Sequence, residues 1–395
     1  MTAGPPDVPR RSGDRPDDPV RAADRPDRSD PAADRPGGSV GDRFRRFQEE
    51  LGRTGGGEVG RRSADRRGRR GGGERLAVPP VEFTSYYGRP ILKAPVWRDD
   101  IPAYLFTGGL AAGSALVAAG AQLTGRTRLR RAGRWTALGA VVASSYFLVN
   151  DLGRPARFHH MLRVAKPTSP MSVGTWILAG FGPAAGLAAV AELAPRLPRR
   201  GLLGLARRIA PPVADAAGLG AAVLAPALAT YTGVLLADTA VPSWHEAYPQ
   251  LPFVFAGSAL ASGAGMALLA APPAEAGPAR RLAVLGAAVE LAGAHQVETR
   301  LGLLSEPYRT GAAGRLLRTG RALTAAGVAG ALLGRRSRLV SAVSGAALLV
   351  ASVATRFGVF RGGVASARDP RYTVVPQRER LERRAGRTPA DQARP

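Results

Sequence analysis

The chain is 395 residues long, carries a formal net charge of +25 and contains no cysteine. The missing thiols exclude disulfides, thiolate metal sites, thioether-linked haem and cysteine-ligated iron–sulfur clusters. The near-neutral mean hydropathy suits a basic soluble protein only until the charges are placed along the sequence. They fall in tails and turns, and arginines beside apolar segments read as lipid-headgroup anchors rather than as a nucleic-acid surface.

Residues 1–80 repeat Asp-Arg-Pro at Asp14, Asp24 and Asp34, within mixed charge and frequent Pro and Gly. Such a segment buries too little apolar area to offset its ordering entropy, so a disordered tail is expected, with a short helix near 43–51. It has neither the apolar run nor the cleavage site of a signal peptide. Residues 81–100 read as an amphipathic segment leading into the first span.

From 101 to 357 the chain divides into about eight apolar stretches. A hydrocarbon core of about 30 Å takes roughly 20 residues at about 1.5 Å each. Spans are predicted at 102–124, 135–152, 172–193, 213–237, 251–271, 282–297, 322–333 and 339–355. The seventh has only about a dozen uncharged residues, fewer than a normal span; it is either a half-helix or extends back through Arg318 and Arg321. Arginine-rich stretches at 126–134, 196–208 and 335–338 are read as turns. Residues 358–395 read as a polar tail in which Arg371–Pro376 can dock on a partner. The predicted fold is all-α: a polytopic, multi-pass cell-membrane bundle of about eight transmembrane helices between disordered polar tails. The arginine balance between the two sets of turns does not fix which side the termini face. Gly and Ala within the spans, as in Gly108–Gly113 and Gly257–Gly265, predict close helix packing.

Polar residues gather at span ends. Asp99 and Asp100 precede Tyr104 and Thr107; Asn150, Asp151 and Arg154 close the second span; Tyr231 and Asp238 end the fourth, ahead of Trp244, His245 and Glu246. If successive spans run antiparallel, the starts of the first and fifth and the ends of the second and fourth meet at one membrane face. Taken singly, Asp151 and Arg154 can simply cap and turn the chain before Pro155, and Tyr231 can be an interfacial aromatic. The sixth span is the most unusual, because an ionised carboxylate near its middle costs about 2.5–3.5 kcal/mol on insertion scales. Glu290 and Glu298, eight residues apart, share a face. They form either a proton-handling helix or ion pairs with Arg300 or another span-end arginine. Of the four histidines, only His295 lies well inside a span, so no intramembrane pair exists to hold a haem. The chain is expected to have neither haem nor iron–sulfur cluster of its own.

Four motifs occur in order: Ile101-Pro-Ala-Tyr104 continuing to Gly113, Asp151-Leu-Gly-Arg-Pro155, Lys166-Pro-Thr-Ser-Pro-Met-Ser-Val-Gly-Thr-Trp176, and Tyr231-Thr-Gly with Pro242-Ser-Trp244. Together they resemble the NrfD family, the membrane subunit of polysulfide reductase-like complexes, over about 86–357. The resemblance implies an eight-helix subunit without metal centres that binds a quinone, menaquinone or ubiquinone, near one membrane face. It also implies a docked ferredoxin-like 4Fe-4S subunit and a molybdopterin catalytic subunit. On that basis Tyr104, Thr107, Asn150, Arg154, Tyr231 and Trp244 are candidate quinone-binding residues. Asp100, Asp151, Asp238, Glu290 and Glu298 are candidates for proton transfer. An ion-translocating or transporter-type protein is the alternative, since it too needs carboxylates in spans and glycine-broken helices.

Overall fold

The computed structural model describes residues 91–385, and the predictions for the N-terminal tail, for the first half of the pre-span segment and for the last ten residues fall outside them. The described chain is helical. Eight long helices are α1 (Asp100–Leu123), α2 (Thr127–Asp151), α3 (Pro170–Val190), α4 (Gly201–Ala237), α6 (Leu251–Ala270), α7 (Gly277–Arg300), α9 (Gly311–Leu333) and α10 (Arg338–Arg368). Two short helices intervene, α5 (Pro242–Glu246) and α8 (Glu306–Arg309), and α11 (Arg371–Ala385) follows. Each predicted span lies largely within one of the eight long helices. Five of these, α1, α3 with its short extension, α4, α6 and α10, are long and apolar enough to cross a membrane by themselves. The other three, α2, α7 and α9, carry arginines toward their N-terminal ends but present Val142, Leu285 and Leu332 outward, exposed as lipid-facing residues are.

The boundaries decide one open alternative and correct the sequence reading in three places. The seventh span is a complete helix that runs back through Arg318 and Arg321. The stretch 127–134 is the start of α2 rather than a turn, and 201–208 is the start of the 37-residue α4. Beyond 357 the chain is ordered helix before it turns polar: α10 continues to Arg368, with Gly362, Gly363 and Ser366 buried, and α11, polar and exposed from Gln377 to Arg383, is helical to Ala385. Burial of glycine and serine explains the misreading, because these residues lower hydropathy without exposing the helix.

Helix ends follow local chemistry. Gly125, at φ 69°, closes α1 with the paired bonds Arg126 N–H to Ala121 O at 2.8 Å and Gly125 N–H to Gln122 O at 3.2 Å, a Schellman cap that a residue with a Cβ would strain. Gly153, at φ 67°, does the same turning work between Asp151 and Pro155. Ser169 and Ser337 accept from the backbone N–H of Ser172 and Val340 at the starts of α3 and α10, satisfying donors that a helix start leaves free.

The helices form two rings of four. In the first, α1 packs on α2, α2 on α3, α3 on α4 and α4 back on α1; in the second, α6, α7, α9 and α10 close in the same manner. The rings meet along α1 and α6, where no side chain separates the backbones. An added Cβ on Gly113 would stand 2.0 Å from the Ala259 carbonyl oxygen, and one on Gly263 would stand 2.2 Å from the Gly113 carbonyl carbon. In lipid such small-residue contact supplies the association that the hydrophobic effect supplies in water. Antiparallel neighbours bring the starts of α1, α3, α6 and α9 and the ends of α2, α4, α7 and α10 to one face, as expected.

The opposite face is held by arginine. Arg134, 3% exposed, donates to Glu192 and Asp215, each at 2.8 Å, and to Gln122 at 2.8 Å. Arg130 adds a second bond to Glu192 at 2.9 Å. This cluster ties α1, α2 and α4 to the short turn after α3.

Candidate functional site

Four groups of polar residues occupy the face where α1 begins. At its rim, Asn150 Nδ2 donates to Asp100 Oδ2 at 3.1 Å, which links the end of α2 to the start of α1. Asp151 lies beside Asp100 and Arg98. Arg361, from α10, reaches Asp99 at 3.6 Å. Arg154 is exposed beyond Gly153 and makes no side-chain hydrogen bond to these groups among the described residues.

Deeper in the first ring lie Tyr104 and Tyr231, 3% and 7% exposed, in one continuous apolar core. Tyr231 sits against Gly174 of α3, where a Cβ would come within 2.2 Å of its ring. That glycine is what admits the ring. The Tyr231 hydroxyl is buried and has no hydrogen-bond partner. Thr107, by contrast, spends its hydroxyl on its own helix, donating to Ala103 O at 2.9 Å.

The third group surrounds a groove of ≈ 430 Å³ that includes Asp238, His245, Glu246, Tyr372 and Arg380. Asp238 is exposed there, and Arg380 of α11 pairs with Glu246 at 3.0 Å. Trp244 has a different place: it is fully buried, stacks on Trp97 with centroids 6.0 Å apart, and donates from Nε1 to Val359 O at 2.9 Å. Its indole joins α5 to α10 and leaves no polar atom open to a ligand.

The fourth group lies inside the second ring, and sequence reasoning found half of it. Glu290, 3% exposed, accepts from Thr355 Oγ1 at 2.7 Å through Oε1, while Oε2 has no partner. Glu298 shares its face, as the eight-residue spacing requires, and is held by Arg321 of α9, with Nη1 at 2.9 Å from Oε2. Both carboxylates line one cavity of ≈ 30 Å³, together with Tyr308, whose hydroxyl is also buried and unbonded. That volume accommodates about one or two waters.

Arg356 completes this group, although its position directly after the predicted span 339–355 is that of a residue flanking a span. It is fully buried, donating from Nη2 to Phe255 O at 2.7 Å, with its guanidinium 3.9 Å from the centre of the Phe255 ring. It acts on Glu290 through space without an ion pair among the described residues. Gly109 of α1 leaves it room, since a Cβ there would meet Nη2 at 2.8 Å. The signal available in the sequence was the pair Gly108-Gly109 and an arginine directly after an apolar run, but nothing in one sequence says which helices face each other.

Residues 92–280 match the family model described as Polysulphide reductase, NrfD, which bears out the resemblance carried by the four motifs. The matched stretch takes in the first ring, α6 and the start of α7; Glu290, Glu298 and Arg356 lie beyond it. A search of curated proteins returns no match to the chain.

Proposed function

With residues 92–280 belonging to the NrfD family, we propose that this multi-pass membrane protein is the quinone-interacting subunit of a multi-subunit oxidoreductase. It passes electrons between the quinone pool and a ferredoxin-like 4Fe-4S subunit, which serves a molybdopterin catalytic subunit. The family supports the general kind, a membrane subunit of an oxidoreductase complex. One observation carries the site: the Tyr231 hydroxyl is buried without an acceptor. An unmade hydrogen bond of that sort costs about 1–3 kcal/mol, and a quinone carbonyl is an acceptor that relieves it.

A quinone, when bound, supplies two-electron, two-proton redox chemistry in a lipid-soluble form. The chain's own part is to donate a hydrogen bond from Tyr231, to shape an apolar wall with Tyr104, and to exchange protons at the rim through Asp151 and through Asp100, which Asn150 steadies. Thr107 serves as wall rather than donor, because its hydroxyl is already bonded within α1. Trp244 holds α5 against α10 beside the groove lined by Asp238, and that groove is where the iron–sulfur partner docks. Glu290 and Glu298, with the small cavity between them, form a deeper proton route.

Isolation of the tagged chain from its native membrane tests the assignment. An iron–sulfur protein, a molybdopterin protein and a lipid-extractable quinone are expected with it; recovery of the chain alone, without quinone, overturns the reading. At residue level, Tyr231→Phe is expected to lower quinone turnover about tenfold or more in a complex that still assembles. Asp151→Asn should slow it as well. Normal turnover in both removes these residues from the site.

A further inference from the structure

A hollow of ≈ 370 Å³ opens between the start of α7 and the end of α9, on the arginine-rich face, about 15 Å along α7 from Glu290. Arg280, Arg281 and Arg335 line it, with Val284 and Leu332. Arg280 is 9% exposed: its Nη2 donates to Pro273 O at 3.1 Å and Arg335 O at 3.0 Å, and its buried Nε has no acceptor. Arg281 and Arg335 are exposed. None of the three pairs with a carboxylate among the described residues.

The contrast is with the buried arginine cluster of the first ring. Arg130 and Arg134 have Glu192 and Asp215. Glu275, the carboxylate nearest in sequence to Arg280, is occupied instead by the backbone N–H groups of Arg128 and Leu129, each at 3.0 Å. Three guanidinium groups around one cavity repel each other unless an anion sits between them, and guanidinium geometry matches phosphate oxygens in particular. The remaining walls are apolar and continue outward: Val284 is 39% and Leu332 38% exposed, with Leu285 at 54% and Leu333 at 86% beyond. A soluble anion has no use for such a wall, but acyl chains do.

We propose that this hollow binds the phosphate of an anionic phospholipid, with Arg281 and Arg335 on the phosphate oxygens, the Arg280 guanidinium beneath it, and Val284 and Leu332 against the first acyl carbons. Basic pockets between helices at a membrane face are where lipid headgroups of this charge bind. The site is independent of the quinone reading.

The test uses the full chain in non-ionic detergent, titrated with phosphatidylglycerol or phosphatidylcholine and read by native mass spectrometry. Phosphatidylglycerol is expected to bind in preference to phosphatidylcholine. The double variant Arg281→Gln/Arg335→Gln should weaken the tightest phosphatidylglycerol site about 25-fold, at roughly fivefold per surface arginine, while Arg336→Gln, outside the hollow, leaves it unchanged. Equal binding of the two lipids by the unaltered protein overturns the proposal without recourse to variants, as does full retention by the double variant. Millimolar inorganic phosphate should leave the lipid in place; displacement by it would assign the hollow to a soluble phosphate and sink the lipid source.

Discussion

Replacing Arg356 by Met isolates the most heavily buried charged residue among the described residues. Two local interactions disappear: a charge-assisted hydrogen bond to Phe255 O, worth about 1.5–3 kcal/mol, and a desolvated contact with the Phe255 ring, worth about 2 kcal/mol. Glu290 is then left inside the second ring with Thr355 as its only hydrogen-bond partner. Together the two lost contacts place the loss at about 3–5 kcal/mol. The double variant Glu290→Gln/Arg356→Met should recover most of it, because neither buried charge then remains. The assay is unfolding by sodium dodecyl sulfate in mixed micelles, followed by tryptophan fluorescence, for which the stacked Trp97 and Trp244 are reporters. A loss under about 1 kcal/mol for Arg356→Met, or strict additivity in the double variant to within about 0.5 kcal/mol, would refute the coupling.

Gly113→Ala should part the two rings and cost about 1–3 kcal/mol in the same assay, because its Cβ would meet the Ala259 carbonyl. Gly120→Ala, with nothing within 4 Å, should cost nothing or gain up to about 1 kcal/mol; equal effects at the two glycines would contradict the seam. Gly363→Ala puts a methyl 2.0 Å from the Trp244 indole, so it should displace that ring and shift the tryptophan emission to longer wavelength, whereas an unchanged spectrum would show that the ring gives way freely. Arg134→Gln should lower the unfolding midpoint by an amount equivalent to about 3 kcal/mol and Arg134→Lys should restore little of it, while Arg131→Gln, half-exposed, stays within about 1 kcal/mol.

Apolar run length was enough to find eight helices, and antiparallel succession was enough to bring Asp100, Asn150 and Tyr231 to one face. The eight-residue step from Glu290 to Glu298 put both on one cavity. What escaped were facts about partners. Arg321 reaches Glu298 from another helix, so no spacing within the sequence predicts the pair. Arg356 follows directly on the apolar run predicted as span eight, and a charge in such a position is ordinarily read as reaching for headgroups. It lies inside because α10 continues 12 residues further, through glycines whose low hydropathy hides their burial. Trp244 is a candidate quinone-binding residue by resemblance, but its burial and its hydrogen bond to Val359 give it a structural post.

The length of α4 carries a mechanical consequence. Thirty-seven residues measure about 55 Å, nearly twice the thickness of a bilayer's oily layer, and Pro211-Pro212 mark off the first three turns. Those turns expose Leu202, Leu203, Leu205 and Ile209, while Arg207 is clamped to the carbonyls of Pro195 and Leu197 at 2.6 and 3.0 Å. Such a segment rides among the lipid heads like an outrigger, greasy side down. It shares one helix with Tyr231 at the far end, so a change in membrane thickness that shifts these first turns bears on the face proposed above to take a quinone.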